Sequence, residues 1–138
     1  MEHLHLFNEQ LAEEGYRPHI DEDGDIVFRS QGKTYVVSVD PADSQFFRLG
    51  AYCLYTLSGE AAANRAHRIG HELAMRFKGT KALIVEDQVV HVVLESVLVE
   101  PEHFSTVLER LLAIAREAVP WLLTELNREL NAVPVAQA

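Results

Sequence analysis

Four acidic residues crowd around one glycine in "HIDEDGDIVF", the stretch from His19 to Phe28. Carboxylates packed this closely are what an oxygen-ligated cation such as calcium requires. Aligning Gly24 with the glycine of a helix–loop–helix calcium site places Asp21 and Asp23 at ligand positions and Ile26 at the apolar one. The same alignment puts His19 at the first ligand position and Ser30 where the bidentate glutamate belongs. The strongest ligand is therefore missing, and the flanking residues alternate as strands rather than helices. Asp23-Gly24 between two apolar segments is in contrast a strong hairpin signal. The sequence predicts a turn.

His67 and His71 stand four residues apart in an alanine-rich helical segment, a spacing that can chelate a metal, with Glu60 and Asn64 on the same side. This row lies away from the apolar stripe of its helix and is expected to face solvent. The order "HRIGHE" lacks the glutamate that follows the first histidine in zinc hydrolases. His67, His71 and Glu60 are thus the residues of an alternative reading, a small-ligand or metal-binding protein. The leading expectation is no metal and no cofactor.

His91 and Glu95 share one face of a strand, where a cross-strand charge pair is the simplest role for the glutamate. Cys53, the one cysteine, sits in "FFRLGAYCLYTL" and is expected to be a small buried side chain. A lone cysteine allows neither an intrachain disulfide nor a thiolate cluster. The chain contains no "GxSxG", "GxxxxGK[ST]" or "GxGxxG". No catalytic residues are assigned, and the expectation is that the protein is not an enzyme.

These residues are set on elements legible from periodicity. Leu4, Phe7 and Leu11 form one stripe of a helix that Gly15 stops. Period-two alternation follows: short strand segments on either side of Asp23-Gly24, then Ile26 and Phe28, a turn at "SQGK", and Tyr35, Val37 and Val39 before Asp40-Pro41. The segment 46–57 aligns apolar residues under both periods, and its aromatic content favours strand. From Ser58 as N-cap to Lys78 the pattern is helical, with Ala62, Ala66, Ile69, Leu73 and Phe77 inward. Two strands, "KALIVED" and "QVVHVVLESVLVE", precede Pro101 and a last helix, and the second is apolar enough on both faces for a central position. The helical stripe Phe104, Leu108, Leu111, Ala115, Ala118, Leu122, Leu126, Leu130 keeps phase through Pro120. The fold class is α+β, an antiparallel sheet flanked by helices in the order α-β-β-β-β-α-β-β-α. One domain is expected over 1–131, with a frayed tail over 132–138.

With 138 residues and a charge of −9, the chain is large enough for a core and too acidic for a phosphate backbone, so no nucleic-acid partner is expected. No segment approaches about 20 apolar residues and no leader pattern opens the chain, so no membrane association and a cytoplasmic location are expected. Beside its main stripe the last helix carries Val107, Ile114 and Trp121 on a shoulder roughly 80–100° away. An apolar arc this wide is either a broad internal face or the seat of a partner. The interface candidates are Val107, Ile114, Trp121, Leu122 and Leu126.

The stretches "GYRPHIDEDGDIVFRSQGKTYVVSVDPADSQFFRLGAYCL" and "KALIVEDQVVHVVLESVLVEPEHFSTVLERLLAIA" resemble the two halves of the YbjN-like bacterial domain, over roughly Leu4 to Val119. The family's middle helix often ends in an asparagine-containing segment, where this chain has "HRIGHELAMRFKGTK". The resemblance implies a type III secretion chaperone-like fold, with no catalytic residues to carry over. It also implies a homodimer that holds a protein or peptide partner. The leading expectation is a non-enzymatic interaction module, chaperone-like or regulatory.

Overall fold

A computed structural model describes the backbone of residues 2–137 and the side chains of residues 2–128. Three helices and six strands follow the expected order: α1 (Glu2–Glu13), β1 (His19–Ile20), β2 (Ile26–Ser30), β3 (Lys33–Asp40), β4 (Asp43–Thr56), α2 (Glu60–Arg76), β5 (Thr80–Val85), β6 (Val89–Val97) and α3 (Phe104–Gln137). A 3-10 turn, Pro101–His103, leads into α3. The strands form one antiparallel sheet in the order β1-β2-β3-β4-β6-β5, so β6 is an inner strand and segment 46–57 is a strand. Two compact units make up the chain, one of residues 1–51 and 94–113, the other of 52–93 and 114–138. Strands β4 and β6 and helix α3 run from one unit into the other.

In the first unit α1 closes on a double hydrogen bond, Gly15 N–H to Ala12 O and Tyr16 N–H to Leu11 O, both 3.1 Å. This C-cap needs a left-handed residue, and Gly15 supplies it at φ 98°. Leu4, Phe7 and Leu11 are buried, as their spacing requires. Ile26, Phe28, Tyr35, Val37, Phe47 and Leu49 are the buried set of β2, β3 and β4, and Phe47 meets Phe7. The register Ile26↔Val37, Phe28↔Tyr35 and Val37↔Leu49 keeps that set on one face. Phe7 stacks on Phe104 with ring centroids 4.2 Å apart, and both meet Phe47 edge-on. His3 adds a bond from Nε2 to the carbonyl of Asp40 (2.9 Å).

In the second unit α2 starts at Gly59 (φ 91°), which acts as N-cap without a side-chain bond. The cap is thus one residue beyond Ser58: the chain reverses there into a conformation that glycine adopts freely. The inward stripe is Ala63, Ala66, Ile69, Gly70 and Leu73, while Ala62 and Phe77 are half-buried. Gly70 is what periodicity alone passed over. A Cβ added there would lie 3.0 Å from the Cβ of Ala82 on β5, so the missing side chain lets helix and strand approach.

The same slippage occurs along α3, where Leu112 and Val119 join Phe104, Leu108, Ala115, Ala118, Leu122 and Leu126 as buried residues and Leu111 is half-buried. Leu130 and the expected tail, 132–138, lie outside the residues whose side chains are described. The helix is continuous through Pro120.

Gly70→Val is expected to destabilise the fold by roughly 1–3 kcal/mol, because three carbons must enter a space in which the first already lies 3.0 Å from Ala82. Urea denaturation followed by far-ultraviolet circular dichroism reads this directly, and an unchanged midpoint would show that α2 can step away from β5 at no cost.

Candidate functional site

The acidic loop is a turn, and its carboxylates show how it is built. Asp21 Oδ1 accepts the backbone N–H groups of Asp23 (2.9 Å) and Asp25 (3.0 Å), while Gly24 N–H returns to Asp21 O at 3.2 Å. A side chain that mimics a turn of backbone is the usual work of aspartate at this place. Asp25 is pushed above the ordinary aspartate value by partial burial, against a lowering hydrogen bond from Ser38, with the charges of Asp21 and Asp23 adding to the rise.

The histidines of α2 go separate ways. His67 Nε2 lies 3.0 Å from Asp87 Oδ1, in the turn between β5 and β6, and both groups are well exposed. His71 is exposed one turn further on. Glu60 and Asn64 line a polar depression of about 570 Å³ with Asp87 and Gln88. Among the described residues no group of three or more His, Cys, Asp or Glu is placed to hold a metal.

Cys53 is exposed, not buried. Its φ of 55° breaks the alternation of β4, which buries Phe47, Leu49 and Ala51 and then turns Cys53 outward. The backbone N–H that this bulge releases is donated to His91 Nδ1 at 2.8 Å, and the His91 ring packs edge-on against Tyr52. Accepting at Nδ1 places the proton of neutral His91 on Nε2. Glu95 makes the cross-strand pair expected of it, receiving Arg48 Nε and Nη2 at 3.1 and 2.8 Å.

Chemistry of a different kind is found on the open face of the sheet in the first unit. Val27 pairs directly with Val36, and both are half-buried, as is Phe46. Val97, two residues beyond Glu95 on the same face, is 73% exposed, and Val99 just past β6 is 76% exposed. A solvated sheet face ordinarily carries polar residues, so apolar residues there mark a surface kept for contact. The sequence reading passed over these valines. The signal lay in "ESVLVE", where Leu98 inward leaves Val97 and Val99 outward.

The α3 candidates also separate. Val107, Ile114 and Trp121 are half-buried. Leu122 and Leu126 are 1% and 0% exposed, covered by the chain itself, and have no side-chain surface left for a partner. Trp121 carries Phe77 edge-on at 5.7 Å and the guanidinium of Arg76 at 5.1 Å. Met75 stands beside them in sequence at 77% exposure. This apolar patch of the second unit gathers the end of α2 and one turn of α3.

Charge is divided as sharply as the surface. The first unit holds five Lys and Arg against fourteen Asp and Glu, a balance of −9, and the second holds seven against seven. All the net charge of the chain thus belongs to the unit with the apolar open sheet face.

An α+β fold with helices and a six-stranded antiparallel sheet, one face of which exposes valines beside an ion pair, is the class that fold and surface define. The chain belongs to the family described as T3SS (YopN, CesT) and YbjN peptide-binding chaperone 1, whose profile matches residues 3–132. No curated protein matches it. No helix among the described residues is long and apolar enough to cross a membrane.

Because Asp25 holds its proton more tightly in the folded chain, its contribution to stability falls as pH rises from the ordinary aspartate range through its raised value. Asp25→Asn is therefore expected to raise the thermal midpoint at neutral pH, with the gain shrinking as pH is lowered towards about 4. Melting curves at the two pH values check this, and a gain that grows on acidification would contradict it.

Proposed function

We propose that the chain is a non-catalytic peptide-binding chaperone of a bacterial cytoplasm that works as a homodimer. The observation that carries the reading is the open sheet face of the first unit, where Val27, Val36, Phe46 and Val97 stand beside the Arg48–Glu95 pair. An extended peptide laid on such a face buries apolar side chains against the valines. At about 25 cal/mol per Å² of apolar area, even a few hundred Å² offsets a useful part of the cost of ordering the peptide.

The patch of Met75, Phe77 and Trp121 supports the dimer. A tryptophan in contact with a phenylalanine and an arginine, with an exposed methionine next to that arginine in sequence, has the composition of an interface core, where aromatic residues, Met and Arg are enriched. Ile114 belongs to the same unit and extends the patch along α3, and Val107 continues that helical face towards its start. Leu122 and Leu126 support the helix from beneath.

Light scattering after size exclusion is expected to give twice the chain mass of 15.5 kDa for the wild type. Met75→Glu, at an exposed position, and Trp121→Glu should both give folded monomers by circular dichroism. A monomeric wild type, or dimers that ignore both changes, would remove α3 as the interface. Val36→Asp with Val97→Asp is expected to weaken binding to an array of overlapping peptides at least tenfold without loss of secondary structure. Unchanged binding would clear the open face of that role.

A further inference from the structure

The first unit contains a second feature, at the edge of its sheet. A cleft of about 480 Å³ lies between the segment after α1 and strand β2, lined by Tyr16, Arg17, His19, Val27, Phe28 and Arg29 among others. Tyr16 and Phe28 meet edge-on at 5.1 Å, so the aromatic part of the lining is fixed. The rim is cationic through Arg17 and Arg29, both exposed, and no Asp or Glu is among the lining residues. Glu109, the carboxylate nearest in bonding terms, already accepts the Tyr16 hydroxyl at 2.9 Å. Arg29 is held in place by bonds from Nη1 to Thr34 Oγ1 (3.3 Å) and from Nη2 to Gly32 O (2.8 Å), which use two of its five N–H donors.

A cationic cleft in the unit that accounts for all of the chain's net negative charge is a local inversion of the field. Which charge wins depends on distance. At physiological salt the Debye length is about 8 Å, so an anion seated between Arg17 and Arg29 responds to those arginines more than to acids elsewhere on the unit. Against a partly dry aromatic wall the attraction is further strengthened.

Backbone geometry sets which anion fits. Strand β1 covers β2 only at Ile26 and Val27, and Pro18 ahead of it cannot donate to a ladder. Asp21 N–H bonds to Asp25 O, which by alternation makes His19↔Val27 a hydrogen-bonded pair and turns the main chain of Arg29 towards the same uncovered edge. A peptide strand pairing there and running towards His19 meets β1 almost at once and must end. We propose that this cleft captures the carboxyl terminus of a polypeptide. Its α-carboxylate lies between Arg17 and Arg29, and its last, apolar side chain lies against Tyr16 and Val27, with buried Phe28 fixing the Tyr16 ring from beneath. The proposal rests on the peptide-binding reading and gives it a direction, because Val27 belongs both to the cleft and to the open face beside Val36.

The test uses the full chain and a fluorescein-labelled hexapeptide ending in a photoreactive phenylalanine. It is compared as the free acid, as the carboxamide, and as a carboxamide with glutamate before the last residue. Fluorescence polarisation is expected to show at least tenfold weaker binding for both amides than for the free acid. A comparable loss is expected for the free acid on Arg17→Ala. Arg29→Lys is the milder second variant, retaining a cation while losing the planar fork. Photocrosslinks of the free acid should map to residues 15–34. Equal binding of the acid and the simple amide would overturn the proposal, and equal binding of the acid and the glutamate peptide would show an acidic side chain to be the ligand instead. Crosslinks elsewhere on the chain would overturn this site and leave peptide binding intact. Failure to bind any of the three, by a chain that still binds the peptide array, would also overturn it. Failure on both would remove the peptide-binding reading with it.

Discussion

Contact among Phe7, Phe47 and Phe104 is the constraint on which the first unit depends. The three rings come from the first helix, a central strand and the first residue of the last helix, and all are 0% exposed. Burying one phenylalanine is worth about 1.5–3 kcal/mol, and each well-set ring pair adds roughly 0.5–1.5 kcal/mol. A stack at 4.2 Å with two edge contacts therefore joins segments distant in sequence more firmly than any polar bond on the surface. The Arg48–Glu95 pair, about a third exposed on its arginine side, is worth at most about 1 kcal/mol. Its role is to align two strands on the open face. It does not hold them together.

Once the aromatic cluster commits one face of the sheet to the helices, the opposite face is left to solvent or to a partner. A chain with no use for that face would be expected to fill it with threonine, lysine and glutamate. Here Val97 and Val99 are exposed and Val27, Val36 and Phe46 half-buried, beside Thr34 and the Arg48–Glu95 pair. The choice has a cost in solubility, and the charge of −9 concentrated on that same unit offsets it. The apolar residues of that face and the acidic surroundings thus belong to the same unit, where the charge opposes self-association of the exposed valines.

Strand β4 shows how one backbone position alters what a sequence displays. Phe47, Leu49 and Ala51 fall inward at every second position, and the left-handed Cys53 then turns outward where the same period would bury it. The N–H freed at the bulge is not wasted, because His91 accepts it from the neighbouring strand. Treating alternation as unbroken put Cys53 in the core. A bulge has no dependable signature in residue type when it is not made by glycine, so the error had a physical origin.

By itself the sequence determined the order of elements, the sites of the turns and most of the core, because these depend on local rules. Gly15 stops a helix, Gln31-Gly32 turns a hairpin, and Phe7, Tyr35, Val37 and Ile69 fall inward by period. It also showed that the acidic loop lacks the twelfth-position ligand of a calcium site. The tertiary structure alone decided which half of an ambiguous arc meets the core. On α3 neighbouring leucines compete, and packing buried Leu112 and left Leu111 half-buried, just as it covered Leu122 and Leu126 while leaving Trp121 half open. It alone placed Arg17, Arg29, Tyr16 and Phe28 around one cleft. Their convergence depends on β1 pairing for only two residues, and no periodicity along the chain records where a strand stops being covered by its neighbour.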